Sequence, residues 1–207
     1  MKQLILVVVS FFIFSVGFSQ KDLGFGIDMD GNIPKGLNVG DKAPSFTLKN
    51  VEGVKVSSEK ILAKQELVVI FYRGEWCPVC TRYLSNLSDS LKYITAAGAR
   101  VVAIGPETLE NTAKTKENSN AGFTILSDAN QQTAIDYEVL FDVSKSYNRK
   151  IKTFMRTDIA KNNGSDKAQL PVPATFIIGK DGVIKFKQFD YNYKNRASIK
   201  KIIESLN

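Results

Sequence analysis

From residue 37 onward, the apolar positions fall into short runs separated by polar, glycine-bearing turns, and their period alternates between two and three to four. Ser45 to Leu48 and Val54 to Val56 alternate around Asn50 to Gly53 and predict a hairpin. Glu59 to Lys64 is at most a short helix. Leu67 to Tyr72 is apolar throughout, the pattern of a strand covered on both faces of a sheet. Counted from Cys80, Leu84, Leu87, Leu91 and Ile94 recur at spacings of four, three, four and three. That is the stripe of an amphipathic helix, which Pro78 starts and Gly98 stops near Ala97. Arg100 to Ile104 and Phe123 to Leu126 read as strands and Thr108 to Lys116 as a helix. Asp128 with Gln131 suggests a capping box for a helix running to Tyr137.

Val143 to Asn163 is polar and basic, a helix followed by a loop. Two apolar runs, Leu170 to Ile178 and Val183 to Phe189, flank the turn Gly179 to Gly182 as a hairpin. Ser198 to Leu206 closes the chain as an amphipathic helix. Alternating strands and helices predict an α/β sandwich with parallel pairing at its centre. Residues 20–36, rich in Gly, Asp and Asn, read as an extended, loosely packed lead-in.

The first nineteen residues change the picture. Lys2, an apolar run from Leu4 to Phe14 broken by Ser10, and the small residues Gly17 and Ser19 make a secretory signal with cleavage before Gln20. The apolar stretch is shorter than the ~20 residues that span a bilayer, so no stable membrane anchor is expected after cleavage. Export into the periplasm is the expected location. The formal charge of +7 becomes +6 without the leader (27 Lys and Arg against 21 Asp and Glu). These lysines are dispersed among acids, and the basic segments Lys145 to Lys152 and Lys194 to Lys201 read as solvated faces rather than a nucleic-acid surface.

The chain's two cysteines, Cys77 and Cys80, sit three apart where the apolar strand gives way to the helix. Pro78 suits the first helical position, which puts Cys77 at the N-cap. There the unpaired amides and the positive helix end stabilise a thiolate, lowering a thiol pKa from about 8.5 to roughly 3.5 to 7.5. Cys77 is the candidate nucleophile, expected to be exposed. Cys80 heads the apolar stripe, points to the core, and would resolve a mixed disulfide by attacking the Cys77 sulfur. A zinc site would lack ligands, since the chain has no histidine and no third cysteine. A structural disulfide across so short a loop gains little entropy. Thiol redox chemistry is the remaining reading, with no cofactor or metal called for.

Three stretches together carry a family resemblance: Gly40-Asp41-Lys42-Ala43-Pro44, Phe71 to Cys80, and Val172-Pro173-Ala174-Thr175-Phe176-Ile177-Ile178 ahead of Asp181-Gly182. With Tyr191 to Arg196 before the last helix, they resemble the peroxiredoxin-like branch of the AhpC/TSA (redoxin) proteins over residues 37–207. The resemblance implies a thioredoxin-like three-layer α/β/α sandwich with a central mixed sheet. It implies that Pro173 is the cis-proline facing the cysteines, beside an exposed Val172 backbone that receives an extended peptide; Trp76 either covers the pair or packs beside the site. Its partners would be protein or small thiol and disulfide substrates and a thioredoxin-type or membrane electron donor.

The chain departs from the peroxiredoxin pattern Pro-x-x-x-Thr/Ser-x-x-Cys. Counted back from Cys77, the hydroxyl position is Gly74 and the proline position is Ile70, and the peroxide-binding arginine aligns with Pro173. Arg73 is the neighbouring cation in sequence that could substitute. The acid that thioredoxins bury six residues before the first cysteine is Phe71 here, and Glu75 reads as solvated. The expectation is therefore an exported thiol:disulfide oxidoreductase, slow toward hydrogen peroxide. The alternatives are a thiol-dependent peroxidase acting through Cys77 and a redox-inert thioredoxin-fold binding module.

Overall fold

The computed structural model describes residues 24–206; the expected leader lies outside them. The elements in chain order are β1 (Thr47–Asn50), β2 (Lys55–Ser57), α1 (Ser58–Leu62), β3 (Glu66–Phe71), α2 (Pro78–Asp89), α3 (Leu91–Ala96), β4 (Ala99–Gly105), α4 (Leu109–Ser119), β5 (Thr124–Ser127), α5 (Gln132–Asp136), β6 (Leu140–Asp142), α6 (Lys145–Phe154), α7 (Ile159–Asn162), β7 (Gln169–Pro171), β8 (Thr175–Ile178), β9 (Ile184–Gln188) and α8 (Ile199–Glu204). Seven strands form one mixed sheet in the order β2-β1-β5-β4-β3-β8-β9. Its centre, β5-β4-β3, is parallel, and β8 joins β3 antiparallel with Ile70 opposite Thr175. β3 is buried on both faces because its residues alternate between two cores. Val68 and Ile70 pack with Cys77, Cys80, Leu84 and Leu87. Leu67, Val69 and Phe71 pack with Phe176 and Tyr137 on the other side. The result is the α/β/α sandwich with a mixed central sheet that the pattern implies.

Four local expectations give way to tertiary contacts. The long helix after Pro78 breaks at Ser90 into α2 and α3. There the Ser88 hydroxyl donates to the Asn120 carbonyl and accepts the Gly122 amide, tying the end of α2 to the turn before β5. The apolar stripe survives the break, since Leu84, Leu87 and Ile94 are all buried. Asp128 is not an N-cap: Gln131 takes a left-handed conformation, and the Asp128 carboxylate accepts the amides of Thr133 and Ala134 from before that kink. The polar stretch after α6 holds a second helix, α7, and β6, which precedes α6, pairs with β7, which follows α7, in a two-stranded ribbon that was not expected. From Gly24 on, the lead-in is not loose. Ile27 is buried and bridges Val143, and the Phe25 ring meets the Tyr193 ring edge-on.

Candidate active site

At the C-terminal ends of the parallel strands, Phe71 donates its amide to the Ala174 carbonyl and Tyr72 its amide to Ile104. The segment 73–76 then leaves the sheet edge-on. A buried acid holds it there. Glu107, fully buried two residues past β4, accepts the Glu75 amide on one carboxylate oxygen (2.6 Å) and the Thr115 hydroxyl on the other (2.8 Å). Burial pushes the Glu107 carboxyl up from its ordinary range, and those two hydrogen bonds oppose the shift. Glu107 escapes a search for an acid close to the cysteines in sequence, because the neighbouring parallel strand supplies it. Its position just past the Gly105-Pro106 strand end is the signal that could have found it.

Cys77 is the N-cap of α2 and its sulfur accepts the Cys80 amide (3.3 Å); Pro78 follows at the first helical position, exposed. The two cysteines are joined as a disulfide. Both are shielded, Cys77 at 2 % and Cys80 at 1 % exposure, which corrects the expectation of an exposed Cys77. The reason is that both cysteines join the core cluster that holds Val68, Ile70, Trp76 and Leu84.

One guanidinium contacts this disulfide, and another is stacked on the neighbouring Trp76 ring. Arg73 is 2 % exposed and lies over the rings of Tyr193 (4.2 Å to the centroid), Trp76 (4.9 Å) and Tyr147 (5.3 Å). It donates from Nη2 to the Tyr147 hydroxyl (2.6 Å), while its Nε finds no acceptor. Arg196 is half-buried, donates Nε to the Tyr193 carbonyl (2.6 Å) and places Nη2 3.3 Å from the Cys80 sulfur. Its guanidinium also lies over the Tyr83 ring, whose hydroxyl donates to the Ala197 carbonyl. Burial and the nearby Arg73 charge bring Arg196 down to about 10, and Tyr83 opposes them, so it stays charged at neutral pH. Arg196 belongs to a segment read from sequence as a solvated basic face. The structure turns it inward at the sulfur.

The expected peptide groove is not formed. Every peptide bond among the described residues is trans, Val172–Pro173 included. Val172 is buried, and its amide donates to the Val139 carbonyl (2.8 Å), so that backbone is spent within the fold. Pro173, two residues before β8, is also buried. The residues brought together around the sulfurs are thus Trp76, Cys77, Pro78, Cys80 and Arg196, with Arg73 stacked on Trp76 and with Val172 and Pro173 buried just ahead of β8.

The AhpC/TSA family pattern matches residues 39–187. The chain belongs to the AhpC/TSA family. A Coxiella burnetii relative carrying the peroxiredoxin name bcp is 28% identical over 148 residues, covering 72% of this chain and 85% of its own. The chloroplastic peroxiredoxin Q of rice (Oryza sativa subsp. japonica) is 26% identical over 173 residues, covering 82% and 68%. The crystal structure of the peroxidoxin BcpB from Mycobacterium tuberculosis superposes with a TM-score of 0.63 at 20% identity, over 82% of this chain and 96% of that one. That likeness shows the same thioredoxin-like fold. As an AhpC/TSA protein with its two cysteines in a disulfide, the chain is a thiol-based oxidoreductase.

Gly74, the hydroxyl position when counted from Cys77, has no room for a side chain. Gly74 has φ +149°, and a Cβ there would lie 2.5 Å from the Trp76 indole nitrogen. Trp76 in this position and a side chain at position 74 exclude each other.

Proposed function

We propose that this AhpC/TSA protein is a thiol-dependent peroxidase in which Cys80 is the sulfur that attacks the peroxide and Cys77 the sulfur that resolves it. The observation that carries this reading is the guanidinium of Arg196 on the Cys80 sulfur. A cation 3.3 Å away favours the Cys80 thiolate, whereas Cys77 receives a neutral amide. Neither cysteine meets the peroxiredoxin pattern in full. Counted back from Cys80, its hydroxyl position is Cys77 and its proline position is Arg73. The resolving thiol then stands where a peroxiredoxin keeps its hydroxyl, and the missing donor is supplied by Arg196. The peroxiredoxin names of the relatives favour peroxide over disulfide as substrate.

In the reaction, the Cys80 thiolate attacks the terminal oxygen of a hydroperoxide. The O–O bond breaks, an alcohol or water leaves after taking a proton, and Cys80 becomes a sulfenic acid. The Cys77 thiolate attacks that sulfur, the S–O bond breaks, and hydroxide leaves as water after taking a proton from solvent, which gives the Cys77–Cys80 disulfide. A thioredoxin-type dithiol donor would return the pair to thiols. The leader sequence supports the further proposal that this occurs in the periplasm; fractionation that leaves the processed protein in the cytoplasm would refute that part.

A second reading has Cys77 attacking a disulfide and Cys80 resolving it, favoured by the N-cap position of Cys77. Single-turnover oxidation by peroxide separates the two. The Cys77→Ser protein should consume one equivalent and hold a sulfenic acid at Cys80, detectable by mass after trapping with dimedone, while Cys80→Ser should react no faster than a free thiol. The opposite pattern would return the attack to Cys77.

A further inference from the structure

Arg196 is carried by a stretch with little regular structure of its own. Between the end of β9 at Gln188 and the start of α8 at Ile199 the chain forms no helix or strand. Within residues 190–197 the backbone hydrogen bond runs from the Asn195 amide to the Asn192 carbonyl. An arginine side chain has large rotamer freedom, so keeping its tip at one atom needs a fixed platform. The hydrogen bond from Nε to the Tyr193 carbonyl (2.6 Å) ties the guanidinium only to its own segment. Water competes for it as well, because Arg196 and Tyr83 both line an open cleft of about 350 Å³. Tyr83 supplies the link to α2. It stands one turn beyond Cys80, on the same face of that helix. The Arg196 guanidinium lies over its ring, 5.2 Å from the centroid, and its hydroxyl donates to the carbonyl of the next residue, Ala197 (3.0 Å). Helix α2 thereby holds both the Cys80 sulfur and the support of the cation placed on it.

We propose that Tyr83 is a positioning residue for the peroxidase reaction: its ring and hydroxyl together keep the Arg196 guanidinium 3.3 Å from the Cys80 sulfur, and the stabilisation of the Cys80 thiolate depends on that placement. The proposal rests on the peroxidase reading for its effect on rate, and on the Arg196–Cys80 contact alone for its effect on the thiol. Tyr83 meets the site through Arg196 and Ala197 and hydrogen-bonds to neither sulfur, so its effect passes through Arg196. Losing the hydroxyl alone removes one hydrogen bond, an effect of about threefold, and losing the ring as well brings it to about tenfold. Neither loss can exceed that of removing Arg196 itself.

Two measurements on the full chain test it, both made with Cys77→Ser so that Cys80 is the sole thiol. In the first, alkylation of Cys80 by iodoacetamide is followed across pH, which reads the thiol pKa without any peroxide. Tyr83→Leu should move the midpoint up by about 1 and Tyr83→Phe by about half as much, while in the Arg196→Met protein either change should move it by no more than about 0.3. An equal movement in both backgrounds, or none in either, overturns the proposal. No movement in Arg196→Met itself overturns it too, and takes the assignment of Arg196 to Cys80 with it. Tyr83→Phe keeps the ring in place and decides the matter if Tyr83→Leu does not fold. In the second, the rate of Cys80 oxidation by hydrogen peroxide should fall about tenfold in Tyr83→Leu and about threefold in Tyr83→Phe, and neither change should matter in Arg196→Met. A rate that falls as far without Arg196 as with it overturns the positioning role. If Cys80 resists peroxide in every protein, the peroxidase reading and the effect on rate both fail, and the alkylation profile alone decides whether Tyr83 positions Arg196.

Discussion

The arginine on the disulfide and the arginine on the neighbouring Trp76 ring sit in opposite surroundings. Arg73 is sealed under the rings of Trp76, Tyr147 and Tyr193 and reaches one phenol oxygen. Arg196 is half-buried, touches the Cys80 sulfur and walls an open cleft. A guanidinium stacked on aromatic faces is held by its flat, weakly hydrated surface, so its charge organises packing. One aimed at a sulfur beside solvent can act on whichever charge develops there. The difference teaches that nearness in sequence is a poor guide to which cation serves the chemistry. Arg73 is four residues from Cys77 and supports structure, while Arg196 is more than a hundred residues from Cys80 and meets it directly.

The strongest way to break this comparison is Arg196→Met. Loss of the donor on the Cys80 sulfur should slow its oxidation by hydrogen peroxide about 10²-fold and raise its thiol pKa, both read by stopped flow across pH, with Arg196→Lys recovering part of the loss. A change of less than threefold would remove Arg196 from the reaction. Next in size is Arg73→Ala. Removing the plate between three rings should cost about 2 to 4 kcal/mol of stability by denaturant unfolding and shift the fluorescence of Trp76, the chain's sole tryptophan. Its effect on the peroxide rate should be smaller than that of Arg196→Met, and a reversed order would exchange the two roles.

The smallest effect sharpens the structural side. The folded state raises the Glu107 carboxyl, mainly by burial, so the fold binds a proton there more tightly than the unfolded chain does. Its contribution to stability is therefore fully present below the ordinary carboxylate range and is lost as pH rises through the raised folded value. Glu107→Gln keeps an acceptor for the Glu75 amide and removes the titration. The difference in Tm between wild type and variant should move in favour of the variant as pH rises across that window, by no more than a few degrees. A difference independent of pH would mean that Glu107 is not perturbed by the fold.

The strand Leu67 to Phe71, the helix start at Pro78, the N-cap role of Cys77 and the α/β alternation were all legible in the sequence, because each depends on neighbours a few residues apart. Apolar period, proline's fixed φ and a capping side chain act locally, and the chain spells them out in order. What the local pattern could not state was which distant groups would meet at the C-terminal ends of the central strands. Glu107 arrives there because β4 runs parallel to β3, and Arg196 because the segment before α8 folds back across α2. The burial of Cys77, the occupied Val172 amide and the packed lead-in were decided in the same way, by surfaces that exist only after the sheet has formed. Even the glycine at position 74, visible in the sequence, gains its cause only from the Trp76 ring that folds against it. Local sequence set the elements and the dithiol at a helix start; long-range packing set the charges around it, because electrostatic partners are chosen by distance in space and not along the chain.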